Sequence, residues 1–221
     1  MKLLFRALLK FLVGLALVSL LLFLPAGTVR YPGAWLFLAL LFIPILVLGA
    51  ILLARAPALL EKRLSAKEKE GMQRGVVAIS ALLFLGGFVV AGLDFRYQWS
   101  NVPHAVVIVA AVVLLLSYGM YAEVMRENAY LSRTVEVQEG QKVIDSGLYG
   151  IVRHPMYAAT VFLFLSIPVV LGSWWSLLCF APYPIVIIAR IQNEEKVLSH
   201  QLPGYTDYKK RVKYRLIPWI W

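Results

Sequence analysis

Residues 155–189, PMYAATVFLFLSIPVVLGSWWSLLCFAPYPIVIIA, contain no charged side chain in 35 positions. The run is broken near its middle by Gly172-Ser173-Trp174-Trp175. A helix rises about 1.5 Å per residue, so the halves 155–171 and 174–189 each reach roughly 24–26 Å. That is slightly short of a hydrocarbon layer of about 30 Å. The spacing predicts a tight helical hairpin bent by Pro168, Pro182 and Pro184, with both open ends on one side of a membrane. Its lengths leave open whether it crosses fully.

Upstream, four more uncharged runs, Phe11–Val29, Tyr31–Ala54, Gly75–Leu93 and Ala105–Ala122, hold 18 to 24 residues each. About 20 apolar residues span a bilayer as a helix. The chain is 61% hydrophobic and 15% charged, whereas a soluble domain carries roughly 25% charged residues. These numbers predict an all-α integral membrane protein, a multi-span bundle of four spans followed by the C-terminal hairpin. Residues 1–122 form the four-helix part, with a loop over 55–74, and residues 123–221 form a second region with hairpin 155–189 and a tail. The first run, behind Lys2, Arg6 and Lys10, exceeds a signal h-region and reads as a retained anchor. Pro25, Pro32, Trp35, Trp99 and Pro103 mark the outer ends of the spans.

The net charge of +10 follows from topology. With the N-terminus inside, the arm, the 55–74 loop, the 123–153 segment and the tail from Arg190 carry 3, 6, 4 and 7 basic residues. Only Arg30 and Arg96 fall outside. That asymmetry is the positive-inside pattern, with both termini cytoplasmic. The basic residues then set orientation and meet anionic lipid, and no nucleic-acid partner is needed. The expected location is multi-pass, in a bacterial inner membrane. The connector EKRLSAKEKEGMQR (61–74) reads as a solvated surface helix. No charged residue is expected inside the first four spans, which argues against an ion pathway through them. The single Cys179 sits in an apolar segment as a small filler, and no spacing suits a metal.

The hairpin brings DSGLYGIVRHPMY next to ARIQNEEKVL. Tyr149, Arg153, His154 and Tyr157 therefore face Arg190, Glu194 and Glu195. Ionisable groups near membrane depth are costly and mark function. Bland readings exist for each: Arg153 snorkelling to the interface, His154-Pro155 as an ordinary helix start, and the glutamates as solvated partners of Arg190. Taken together, the set predicts a cavity. Mixed charges suit a zwitterion, and the tyrosines suit a planar base or an onium group. Neither a dinucleotide-binding glycine fingerprint nor a Walker A sequence is present.

Three blocks, VQEGQKVIDSGLYGIVRHPMY, RIQNEEKVL and LPGYTDYKKRVKYRLIP, resemble the isoprenylcysteine carboxyl methyltransferase and phospholipid N-methyltransferase family of integral-membrane enzymes. The resemblance runs from about Glu123 to Pro218. It implies S-adenosylmethionine as cofactor in a cytoplasmic-side pocket. It implies cofactor contacts at Gln138, Gln141, Lys142, Val143, Ile144, Tyr149, His154, Pro155, Met156 and Tyr157. Arg153, from its place beside them, is expected both to anchor the hairpin and to lend its charge to the pocket rim. It implies catalytic roles for Glu194 and Glu195, facing the cofactor's positive groups, and for Arg190 on the acceptor side. Gln141 stands where histidine is common in the family, and Leu148 where proline is common. The acceptor that the resemblance implies is a lipophilic small molecule or lipid-modified substrate, an isoprenoid-type carboxylate or a lipid head group.

Two other readings compete. Membrane sterol reductases carry a similar His-Pro-x-Tyr motif and use NADPH, but favour asparagine after His-Pro and an acidic residue soon after the tyrosine. This chain has Met156 and Ala158-Ala159 there. The other reading is a non-catalytic membrane scaffold. In the tail, Pro203-Gly204 reads as a turn. Tyr205, Tyr208 and Val212 follow at helical spacing among basic residues, as an interfacial segment closing over the pocket.

Overall fold

The computed structural model describes residues 2–64, 71–131 and 137–221. The middle of the 61–74 connector, residues 65–70, lies outside the described residues. Every regular element among them is helical: α1 (Lys2–Ala26), α2 (Pro32–Arg55), α3 (Pro57–Leu64), α4 (Gly71–Tyr97), α5 (His104–Glu127), a 3-10 turn (Gly147–Gly150), α6 (Pro155–Val170), α7 (Trp174–Phe180), α8 (Tyr183–Gln201) and α9 (Tyr205–Arg211). Among the described residues, five stretches are long and apolar enough to cross a membrane: α1, α2, α4 from Gly75, α5 and Trp174–Gln201. The chain is therefore a multi-span helical membrane protein. The helices outrun the uncharged runs, because Lys2, Arg6 and Lys10 continue α1, and Asp94 and Arg96 continue α4.

The hairpin forms, with one difference from the sequence reading. Its returning arm is two helices, α7 and α8, parted at Ala181-Pro182, and α8 continues to Gln201 well beyond Ala189. Pro182 precedes Tyr183-Pro184, and a proline has no amide proton to carry a helix ladder through. The tip is pinned. Ser173 caps α7 by accepting from the Ser176 amide at 2.9 Å and donates to the buried Asp94 carboxylate. Asp94 also accepts from the Ser100 amide at 2.7 Å and hydroxyl at 2.6 Å. The absence of charge expected of the first spans thus ends one residue past Leu93, at a carboxylate only 2% exposed. Tyr31 donates to the Leu171 carbonyl at 2.6 Å and stacks on Phe95 at 4.1 Å.

Lipid offers no hydrophobic drive between helices, so close contact between small residues supplies the packing. An added Cβ at Gly92 would stand 2.6 Å from the Leu22 carbonyl, and one at Gly87 would stand 2.2 Å from the Phe180 ring. Those contacts seat α4 against α1 and α7. The main core joins Leu22, Phe37, Phe88, Leu114, Ile167 and Phe180. It fixes the hairpin against the bundle and so fixes where its open end stands.

Candidate active site

At the open end of the hairpin, Pro155 starts α6 at the first helical position, and His154 before it takes φ −126° and ψ 59°. A residue ahead of proline is pushed out of helical geometry. His154 therefore leaves the helix stack, and its amide donates to the Arg215 carbonyl at 2.9 Å. The Arg153 amide pairs likewise with Tyr214 at 2.9 Å. Two residues of the hairpin thus lie edge to edge with two residues of the tail.

Glu195 occupies the centre of this junction, 4% exposed. It accepts from Arg153 Nε at 2.7 Å and from Arg215 Nε at 3.0 Å. His154 Nε2 lies 3.3 Å from the same carboxylate. A carboxylate only accepts, so the ring proton sits on Nε2. Arg153 further donates to the carbonyls of Val212 and Lys213, at 2.7 and 2.9 Å. The guanidinium of Arg153 therefore ties α6, α8 and the tail together.

Beside this clasp opens a cavity of about 840 Å³ counting its solvent-open mouth. Its walls carry Gln141, Lys142, Val143, Ile144, Tyr149, Arg153, His154, Pro155, Met156, Tyr157, Arg190 and Glu194. Two residues of the expected set stand elsewhere. Gln138 lies off the wall, its amide donating to the Gln141 side chain at 2.8 Å. Glu195 also lies off the wall, its oxygens facing Arg153, Arg215 and His154. Glu194 is the carboxylate that faces the cavity. It accepts from the Tyr157 hydroxyl at 2.5 Å, and that hydroxyl accepts from Arg190 Nε at 2.8 Å.

The wall also includes Asn128, Tyr130, Leu131, Leu198, Leu202, Tyr205 and Tyr208. Leu198 and Leu202 follow Glu194 at four-residue steps, a helical-face signal available in the sequence. Asn128 gave none. It sits just past α5 and donates to the Tyr149 hydroxyl at 2.9 Å. Tyr205 and Tyr208 come from α9, which folds against Leu202 and Val212. Tyr208 donates to the Tyr149 carbonyl at 2.8 Å. The Tyr205 hydroxyl is 4% exposed as a residue and, among the described residues, has no hydrogen-bond partner. Burial pushes its pKa well up, with the Glu195 and Glu194 charges adding to the effect. It is therefore a neutral donor, buried on a residue of the cavity wall. Unsatisfied buried hydroxyls call for an explanation, and a ligand group supplies one.

Residues 104–203 match the phospholipid methyltransferase family. The match takes in a little under half of the chain. The match runs from the start of α5 through α8, covering Arg153-His154-Pro155 and Glu194-Glu195, and ends just before α9. Such enzymes are membrane methyltransferases and are generally S-adenosylmethionine-dependent. The chain is also similar to the Delta(14)-sterol reductase TM7SF2 of Mus musculus, 27% identical over 99 residues. That similarity spans 40% of this chain and 22% of the reductase, so the chain covers under a quarter of that relative's length.

Proposed function

We propose that the protein is an S-adenosylmethionine-dependent methyltransferase of the isoprenylcysteine carboxyl methyltransferase type, acting on a lipophilic acceptor at the membrane surface. The observation that carries the reading is the cavity wall itself, where Arg190, Tyr157 and Glu194 are linked and Tyr205, with its unpartnered hydroxyl, also lines the space. The donor set fits the cofactor: Glu194 for an ammonium, Lys142 for a carboxylate, and tyrosine faces for a planar base or sulfonium. When bound, the cofactor supplies the activated methyl group.

The protein's own task is placement. Tyr149, Met156 and Tyr157 wall the space, and a bound cofactor filling it would displace water and strengthen the charge interactions inside. Arg190 orients an anionic acceptor group, while Tyr157 fixes the guanidinium against Glu194. A carboxylate acceptor, ionised at neutral pH, needs no base. An amine acceptor gives its proton to Glu194, the carboxylate on the wall. His154 holds the clasp, and its ring sides the cavity without acting as a base. The 123–221 region is the catalytic unit, and the 20-to-2 division of basic residues supports a cytoplasmic pocket and termini.

The similarity to a sterol reductase supports NADPH as the second candidate cofactor, with the same cavity. Calorimetry of the purified protein with S-adenosylmethionine and with NADPH separates the two. Saturable binding of the first, followed by transfer of labelled methyl into extracted lipid or isoprenoid acids, is the expected result. Binding of NADPH alone overturns the reading, and binding of neither leaves a scaffold.

A further inference from the structure

The segment after α9 does not stay at the surface. Leu216 is buried in a cluster with Tyr157, Ala158 and Val161 of α6 and Tyr183, Ile187 and Ile191 of α8. Ile217 and Trp221 pack on the same cluster. Val161 is six residues into α6 and Ile187 eight residues before Glu195, roughly 9 and 12 Å inward along the helix axes. The chain therefore passes the Arg153–Glu195 clasp and packs its apolar residues into the cluster between α6 and α8.

This segment closes on itself. The amides of Arg215 and Leu216 both donate to the Trp221 backbone oxygen at 2.9 Å, and the Arg215 guanidinium lies 5.0 Å over the Trp221 ring. This turn leaves Trp219 85% and Ile220 77% exposed. Trp219 adopts φ 63°, a left-handed conformation rare for a bulky residue. The Trp219 ring lies 6.1 Å from that of Tyr214, beside the backbone pairing with Arg153, and an outward indole and isoleucine suit the headgroup level of a membrane better than water. Lys210, Arg211 and Lys213, exposed just before this segment, supply charge complementary to anionic headgroups.

We propose that residues 216–221 re-enter the bilayer, seating Trp219 and Ile220 among acyl chains beneath an anionic headgroup layer. The segment thereby tethers α9, and the cavity wall that Tyr205 and Tyr208 provide, to the membrane. The inference is independent of the reaction catalysed.

The test uses the full chain carrying Cys179→Ser, with one new cysteine at Trp219, at Ile220 or at Asp207, whose side chain is 77% exposed. Each is labelled with an environment-sensitive fluorophore in vesicles of phosphatidylcholine and phosphatidylglycerol. Labels at 219 and 220 are expected to emit at shorter wavelength, to be quenched by shallow nitroxide-bearing lipid and to be spared by aqueous iodide. The label at 207 is expected to be quenched by iodide. If 219 and 220 are quenched by iodide as strongly as 207, with no loss to nitroxide lipid, the segment lies in water and the tether does not exist. Agreement between 219 and 220 guards against disruption of the turn by either substitution.

Discussion

Arg153 and Glu195, 42 positions apart in the chain, meet at 2.7 Å with side chains only 6% and 5% exposed. One sits before the first arm of the hairpin and the other near the end of its return. The pair therefore closes the hairpin, while Arg215 on the second carboxylate oxygen and the Val212 and Lys213 carbonyls on Arg153 bring in the tail.

Removing one partner of a buried ion pair strands the other, at a cost of about 3–5 kcal/mol. Glu195→Gln should therefore lower the unfolding temperature in detergent and expose the Lys209–Arg211 bonds to trypsin. Glu194→Gln keeps an acceptor for the Tyr157 hydroxyl and should cost less, about 1 kcal/mol. It should weaken cofactor binding about tenfold or more, the worth of a hydrogen bond to a charged group. Thermal unfolding and calorimetry on both variants check the division. Equal loss of stability in the two would erase it.

Tyr157 joins Arg190 to Glu194 through one hydroxyl. Tyr157→Phe keeps the ring and frees both charged groups from their bridge. Methyl transfer should fall about 10–100-fold, since a charged hydrogen bond is worth about 1.5–3 kcal/mol. Arg190→Ala should damage acceptor use with cofactor affinity nearly kept. Affinity and turnover measured side by side decide. A variant losing only affinity would place Arg190 with the cofactor.

The Tyr205 and Tyr208 hydroxyls are both pushed up by burial. Above pH about 10 the unfolded chain releases these protons while the folded chain keeps them. The folded state then binds more protons, so stability falls as pH rises, by up to about 1.4 kcal/mol per pH unit for each group. Below pH about 10 the contribution is fully present. Tyr205→Phe should flatten that alkaline decline and weaken cofactor binding at neutral pH. Unfolding curves from pH 8 to 11, roughly that range, read the first effect.

Gly92→Ala brings a methyl against the Leu22 carbonyl, backbone that cannot turn aside. Overpacking of this kind costs about 1–3 kcal/mol. Stability should drop while cofactor affinity, read at the far end of the bundle, holds. Unchanged stability would mean that α1 shifts freely on α4.

The spans and the hairpin were legible because lipid imposes a length and a composition that no core requires. The convergence of Arg153 and Tyr157 with Arg190 and Glu194 was legible for the same reason, since both ends of an uncharged run must surface together. The division of labour between the two glutamates was not. It depends on α8 turning Glu195 toward Arg153 and Glu194 toward Tyr157, one residue apart. Arg215 was hidden among five tail cations, because its partner arrives only through backbone pairing of 153–154 with 214–215, a contact without periodicity. Asp94 was hidden at the edge of an apolar run, its burial set by Ser173 on the hairpin tip.

The 16 residues of α6 cover about 24 Å, and their two ends are held by the Asp94 and Glu195 contacts. A bilayer about 30 Å thick exceeds so short a wall, and local thinning is one way it can adapt. On the function proposed above, such thinning would bring the headgroups of one leaflet toward the level of the cavity. An amphiphilic acceptor moving in the membrane plane would then meet the site with its polar end already lowered, and a thicker bilayer would steepen the dip.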